Sequence, residues 1–472
     1  MQKRFYITTT LPYVNADPHM GHALEFVFAD VIARYKRLTG VQVFLNTGTD
    51  EHGQKIHEKV LDEGSSHKEY VDRFAGRFKN LLDALNISEY HFVRTTDEHH
   101  KNAAQEFWRM CKDDIYKATQ KIKYCVGCEL EKADSELTDD GKCLIHPHLA
   151  IEFREEENYF FRFKKYEKKL LALYKEENFV IPKTRANEIR TFVEGGLNDF
   201  SISRLAKKMP WGIPVPDDPE HVMYVWFDAL VSYISAIGWP DDMEKFKLWW
   251  PVVQFAGKDN LRQQAAIWQA MLMSAGIPPS QHITIHGFIT SGGQKMSKSI
   301  GNVVNPMEII DQFGTDALRY YLVREVSTFE DGDFTIEKFK VAYNANLANG
   351  LGNLVSRIMK MSETYCDPMD VRDVEFLYKP GIEAFNEYNI QKSADLLWQY
   401  IGALDKEIQE KEPFKLIKTD PVKAKKEIKK LVQQLREIAF YLEPFLPGTS
   451  MAIQTAIKEN KMPEPLFKRL SL

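Results

Sequence analysis

Two histidines bracket a methionine and a glycine at His19-Met20-Gly21-His22, just ahead of a run of apolar residues at helical spacing. A helix start leaves backbone N–H groups unpaired and carries the positive end of the helix dipole, so it seats an anion. Imidazoles there can donate to phosphate oxygens, and Gly21, having no Cβ, lets a flat base come close to the backbone. A nucleoside triphosphate fits both features. Far along the chain, Ser291-Gly292-Gly293 leads into Lys295-Met296-Ser297-Lys298-Ser299. This glycine-bearing loop carries two ammonium groups able to neutralise a departing pyrophosphate. Taken singly, such patterns also describe capping histidines and a solvated basic loop. Their joint occurrence, one at the first helix and one after the last strand of a sheet, points to phosphate chemistry.

A second constellation is metal-ligating. Cys125 and Cys128 form a C-x2-C pair, and after fourteen residues Cys143 and His146 form C-x2-H. Two close pairs joined by a turn-rich loop suit tetrahedral Zn2+, and four protein ligands leave no position for water, so the expected role is structural. His148 is a nearby alternate ligand. The five cysteines are an odd number; Cys111 and Cys366 remain as thiols, which suits a reducing, cytoplasmic setting.

The elements that must position these residues follow from periodicity. Residues 5–10 read as a strand and the loop containing Pro12 as a break. A helix then carries Met20, Leu24, Val27, Val31, Tyr35 and Leu38 on one face, with Asp17 as N-cap, Pro18 in the first turn and Gly40 as stop. Residues 41–47 read as the next strand, so the chain opens with a right-handed βαβ unit. Further buried strands at 252–256 and 282–286 flank a helical pattern over 261–275. The fold class is therefore α/β: a doubly wound, Rossmann-type parallel sheet split by a zinc-bearing insertion and followed by an α-helical bundle, with ligands at the carboxyl ends of the strands. The expected divisions are 1–113 and 223–292 for the halves of the sheet, and 114–222 for the insertion, with the knuckle at about 121–150. The lysine loop and linker occupy 293–340, and the bundle 341–472.

With 472 residues the chain exceeds one core. Its net charge of -5 argues against coating nucleic acid by bulk charge but permits local basic faces. No apolar run reaches the length of a membrane helix, and no fixed-period repeat suggests a solenoid.

The histidine and lysine patterns resemble the HIGH and KMSKS signatures of class I aminoacyl-tRNA synthetases. The resemblance extends along nearly the whole chain to the methionine-specific family of that class. It is carried by Leu11-Pro12-Tyr13, by Gly48-Thr49-Asp50-Glu51-His52-Gly53, by Glu157-Asn158-Tyr159-Phe160-Phe161, by Val225-Trp226-Phe227-Asp228-Ala229 and by Gly257-Lys258-Asp259. It implies ATP-dependent activation of L-methionine to an adenylate, then esterification of tRNA(Met). His19 and His22 would hold the phosphates, and Lys295 and Lys298 would close on the leaving group. Gly21, Gly257 and Asp259 would bind the nucleotide, and Mg2+ would accompany ATP. Asp50 would pair with the substrate ammonium. Leu11, Tyr13, Trp226, Ala229, Tyr233 and Gln264 would line the side-chain pocket, Gln264 standing where a histidine is common. Asn346 and Phe414 fall where the family contacts the anticodon, Phe414 replacing the usual tryptophan. Lys423, Lys425, Lys426, Lys429 and Lys430 offer a face for the tRNA backbone. The chain ends without the domain that some members append for dimerisation, which suggests a monomer.

Rival readings fare worse. A cysteine-specific enzyme of the class would need a cysteine after the first strand, and none precedes Cys111. Leucine, isoleucine and valine enzymes need a large editing insertion. A small nucleotidylyltransferase shares the histidine pattern but needs neither the lysine loop nor a long bundle. A non-catalytic tRNA-binding relative is the remaining alternative.

Overall fold

In the computed structural model, which describes residues 3–128, 130–132, 136–296, 302–368 and 379–471, strand β1 (Arg4–Thr8) leads through a loop to α1 (Met20–Leu38). Strand β2 (Gln42–Thr49) follows, parallel to β1. The opening βαβ unit is as expected, with one correction. Asp17 does not cap α1. Its carboxylate pairs with Arg77 on the helix α2 (His67–Ala84), and the N-cap is His19. His19 Nδ1 accepts from the Gly21 N–H at 3.1 Å, while His22 Nδ1 accepts from the His19 N–H at 3.2 Å. This reciprocal box satisfies two donors of the first turn and leaves Asp17 without a capping role. At the other end Gly40, at φ 78°, sits in the left-handed region that stops a helix.

Beyond β3 (His91–Arg94), the strands β4 (Ile115–Cys125) and β5 (Glu152–Phe161) pair as a long antiparallel ribbon. The chain then passes through β6 (Val180–Ile181) and the short helix α3 (Val225–Leu230) to β7 (Val253–Gly257) and β8 (His282–His286). The central sheet has the order β3-β2-β1-β7-β8-β6, all parallel. Its direction of winding reverses between β1 and β7, which opens a crevice at the carboxyl ends of those strands. β6 lies inside the segment read as an insertion, yet it pairs with β8. Two residues are too few to show a period.

Alternation along the buried strands divides the apolar residues between two cores. Tyr6 and Ala256 belong to one, Ile7 and Phe255 to the other. The second core runs without a break from the sheet through α1 into the C-terminal helices, α4 (Asn353–Tyr365), α5 (Ile390–Lys411), α6 (Pro421–Leu442) and α7 (Pro447–Glu459). Among the described residues no helix is long and apolar enough to cross a membrane.

At this junction Arg319 is wholly buried. It pairs with the equally buried Asp30 of α1 at 2.8 Å and donates to the carbonyls of Leu85, Pro444 and Phe445 at 3.1, 2.9 and 2.8 Å. Burial alone would raise the Asp30 pKa, but the Arg319 and Arg34 guanidiniums hold it below its usual value. Replacing Arg319 by leucine takes one of two cations from a buried carboxylate and leaves three carbonyls without their guanidinium donor. We expect Arg319→Leu to cost roughly 3–5 kcal/mol in denaturant unfolding. Lys406→Ala, in an exposed pair with Glu410, should change stability by less than about 0.5 kcal/mol. Equal midpoints for the two variants would contradict the assignment.

Candidate active site and metal centre

A cavity of about 420 Å³ opens at the reversal between β1 and β7. Leu11 and Tyr13 enter it from the loop after β1, and His19, Gly21 and His22 from the start of α1. Asp50 comes just after β2, Trp226 and Ala229 from α3, and Tyr233 from the short helix Ser232–Ser235. Gly257 ends β7, and Asp259 and Gln264 follow it. The residues singled out for nucleotide and side-chain binding thus meet in one cleft. Lys295 lies in a two-residue strand, Gln294–Lys295, paired with Thr290 and Ser291, and its neighbour Met296 lines the cavity mouth. Lys298, with Ser297 and Ser299, falls outside the described residues. Asn346 and Phe414 lie away from the cavity. Asn346 sits in the π-helical stretch Tyr343–Gly352, and Phe414 is 40 % exposed, with the Lys415 ammonium 6.0 Å from its ring centre.

The loops are held by continued strand pairing. The Asp50 N–H donates to the Pro12 carbonyl at 2.9 Å and the Val14 N–H to the Asp50 carbonyl at 3.1 Å. This parallel bridge sets Tyr13 beside the buried Asp50. Gly53, at φ 113°, makes room here: a Cβ on it would stand 2.6 Å from the Tyr13 hydroxyl oxygen.

The cap of α1 also determines the chemistry of the histidines. Each Nδ1 accepts a backbone N–H, so each neutral ring carries its proton on Nε2 and can donate from there. The rings stack at 3.8 Å. Burial and the neighbouring His19 push the His22 pKa well down, so His22 is a neutral donor near neutral pH. A Cβ on Gly21 would press on the His19 ring at 3.0 Å, a constraint beyond the base approach expected of that glycine.

Sequence reasoning missed a buried acid–base pair on the cavity wall. Glu25 accepts from the Thr10 N–H and hydroxyl at 2.6 and 2.7 Å and faces His286 Nε2 at 3.0 Å. His286 Nδ1 donates to the Gly287 carbonyl at 2.7 Å. Nδ1 is thus the donor to Gly287, and Nε2 faces the Glu25 carboxylate, an arrangement that favours the protonated imidazole. Burial works to lower the His286 pKa, but the hydrogen bond and charge of Glu25 raise it above the usual value. The available signal was an acid at Glu25 amid apolar Leu24, Phe26 and Val27, one turn after His22.

Asp228 forms a similar hub behind the pocket. It takes His52 Nδ1 at 2.6 Å and His100 Nε2 at 2.7 Å. Burial opposes its ionisation, yet the two histidines hold its pKa below the usual range. α3 is thereby tied to the loop after β2, which places Trp226 and Ala229.

At the end of β4, Cys125, Cys128, Cys143 and His146 bring their ligand atoms within 4.8 Å of one another. Cys128 Sγ lies 3.4 Å from Cys143 Sγ and 3.2 Å from His146 Nδ1, and Cys125 Sγ lies 3.9 Å from that nitrogen. A tetrahedral centre with metal–sulfur bonds of about 2.3 Å has ligand–ligand edges near 3.8 Å, so this set fits a metal ion. Lys55, just past the active-site loop, donates to the Gly127 carbonyl of the knuckle at 3.3 Å. Cys111 and Cys366 are buried free thiols.

The split parallel sheet with paired histidines at its first helix is the architecture of a class I synthetase. The family model described as tRNA synthetases class I (M) matches residues 5–143 and 131–359. The chain is 41% identical over 482 residues to the methionine–tRNA ligase of Thermosynechococcus vestitus, covering 96% of this chain and 90% of that protein. It is 38% identical to that of Thermotoga maritima, covering 99% and 80% respectively. Among solved structures, Mycobacterium tuberculosis methionyl-tRNA synthetase in complex with methionyl-adenylate superposes with a TM-score of 0.90 at 34% identity, over 100% of this chain and 99% of that one. The chain belongs to the class I (M) tRNA synthetases.

The Glu25–His286 pair yields a pH test. Because the folded-state pKa of His286 is raised, its stabilising contribution is full below the ordinary imidazole value of about 6.5 and is lost as pH rises through the raised value. The thermal midpoint should therefore decline as pH rises above the ordinary imidazole value, and His286→Gln should flatten that decline. An unchanged slope in the variant would show that the pair is not the source.

Proposed function

We propose that the chain activates L-methionine with ATP and transfers it to the 3′-terminal adenosine of tRNA(Met), serving initiation and elongation. The observation that carries this reading is the convergence of the substrate-binding residues on one cavity at the sheet's reversal point. The substrate carboxylate is already ionised at neutral pH, so it needs no protein base to attack the α-phosphate. Its oxygen bonds to phosphorus as the bond to pyrophosphate breaks, and a terminal ribose hydroxyl of tRNA then displaces AMP from the carbonyl.

The residues act by position and charge. His19 and His22 donate from Nε2 to the phosphates, and Gly257 and Asp259 receive the ribose. Asp50 pairs with the methionine ammonium, while Leu11, Tyr13, Trp226, Ala229, Tyr233 and Gln264 surround its side chain. Lys295 and Lys298 neutralise pyrophosphate. Mg2+ would accompany ATP and supply positive charge to its phosphates. The knuckle holds one structural Zn2+, whose thiolate ligands suit the reducing cytoplasm. Residues 341–472 bind the anticodon arm, with Asn346 and the exposed Phe414 ring meeting unpaired bases.

Amino-acid-dependent ATP–pyrophosphate exchange tests the first step. Exchange should be confined largely to methionine when leucine, isoleucine, valine, cysteine and homocysteine are compared. Asp50→Ala should cost roughly 2–5 kcal/mol in kcat/KM for methionine. Absence of exchange with every amino acid, in folded zinc-loaded protein, would favour a non-catalytic tRNA-binding relative. For the second step, Phe414→Ala should leave exchange intact and weaken aminoacylation by about 1–3 kcal/mol in kcat/KM for tRNA. Equal tRNA kinetics would remove Phe414 from the anticodon contact.

A further inference from the structure

We infer that Gln254, Ser280 and Gln269, which lie behind the cavity wall, set the hydrogen-bond polarity of Tyr233. Through it they select a substrate side chain that accepts a hydrogen bond over an apolar one of equal size; the inference rests on the methionine reading above.

Two backbone groups fix the orientation of the Gln269 amide, from which a buried relay runs. The Ser280 N–H can only donate, and it donates to Gln269 Oε1 at 3.0 Å. The Gln264 carbonyl can only accept, and it takes Gln269 Nε2 at 2.9 Å. Gln269 must therefore present its NH2 to Ser280 Oγ, 3.1 Å away. The Ser280 hydroxyl passes its own hydrogen to Gln254 Oε1 at 2.6 Å. Gln254 then faces Gln264 with its NH2, at 2.6 Å from Oε1, and Gln264 donates from Nε2 to the Tyr233 hydroxyl at 2.9 Å. Turning any one amide would set donor against donor or acceptor against acceptor. None of the five side chains is more than 4% exposed, so water cannot repair such a mismatch.

The consequence appears at the cavity. Tyr233 accepts from Gln264 and keeps its own hydrogen, and both residues line the pocket. Tyr6 holds the Tyr233 backbone in place by donating to its carbonyl at 2.7 Å. Burial pushes the Tyr233 pKa well up, so the hydroxyl stays protonated across the working range. A thioether sulfur can accept that hydrogen; the methylene of norleucine, otherwise the same shape, cannot. The relay is built of amides and a hydroxyl, none of which titrates near neutrality, so the preference should not vary with pH.

The test compares kcat/KM for methionine and norleucine in ATP–pyrophosphate exchange. Gln254→Leu removes the NH2 that holds Gln264 and frees that amide to invert. The methionine-to-norleucine ratio should fall about tenfold, with norleucine activation within about threefold of wild type. Gln254→Glu adds a pH readout: its acid form donates as the amide does, whereas its carboxylate only accepts. The ratio in that variant should be near wild type at low pH and fall as pH rises, while the wild-type ratio stays flat. Ratios within about twofold of wild type in both variants, or equal losses for both substrates, would overturn the inference. Wild-type protein that activates neither amino acid would overturn the methionine reading, and the inference with it.

Discussion

A carboxylate and a guanidinium, both shut off from solvent, meet where three parts of the chain converge. Asp30 is on α1, and Arg319 reaches it while holding the carbonyls of Leu85, Pro444 and Phe445. Desolvating two charges is expensive, and the pair is tolerable because Arg34 shares Asp30 Oδ2 with Arg319 while Ser88 donates to Oδ1. Its return is orientation. α1 is clamped between the sheet and the C-terminal helices in one continuous core, so its first turn meets the ends of β1 and β7 at a fixed place. The helical bundle thus acts as a mount for the helix that carries the histidines.

That first turn combines two demands. A helix start needs its N–H groups satisfied, and a phosphate site needs donors directed outward. His19 and His22 satisfy the first through Nδ1, which leaves Nε2–H as the donor each ring would offer the proposed phosphates. An aspartate cap would satisfy the backbone as well and bring no donor. The same economy appears in the loop after β1, where pairing of Tyr13 with Asp50 extends the sheet by one bridge and thereby builds the pocket wall.

Legibility in the sequence followed the range of the interaction. Residues at strand ends and at the first helix turn could be placed because local periodicity locates those points, and the cavity gathers them. The Cys/His cluster that could hold a metal ion was readable from spacing alone. What escaped was set by distant partners. Glu25 meets His286 across 261 residues of sequence; its apolar neighbours mark it as a buried acid, but no local rule names its partner. Gln264, in contrast, was placed by resemblance and not by period: it lines the cavity from a π-helical turn, Gln263–Ile267, whose extra residue per turn departs from helical spacing. Asp17 was misread because capping propensity favours aspartate, whereas here two imidazoles did the capping and Arg77 claimed the carboxylate.

The charge inside the cavity leads to a last step. Its wall carries Glu25, Asp50 and Asp259, with the His286 cation opposing Glu25, and among the described residues lining it there is no lysine or arginine. Neutral donors can orient a triphosphate, but they cannot offset several negative charges in a site of low dielectric. The compensating cations must come from outside this lining, with the substrate or from elsewhere in the chain. A pocket of this charge favours the proposed pairing of the amino acid's ammonium with Asp50. It also makes stabilisation of the nucleotide phosphates depend on cations brought to it, so the proposed chemistry is coupled to the order in which the charges assemble.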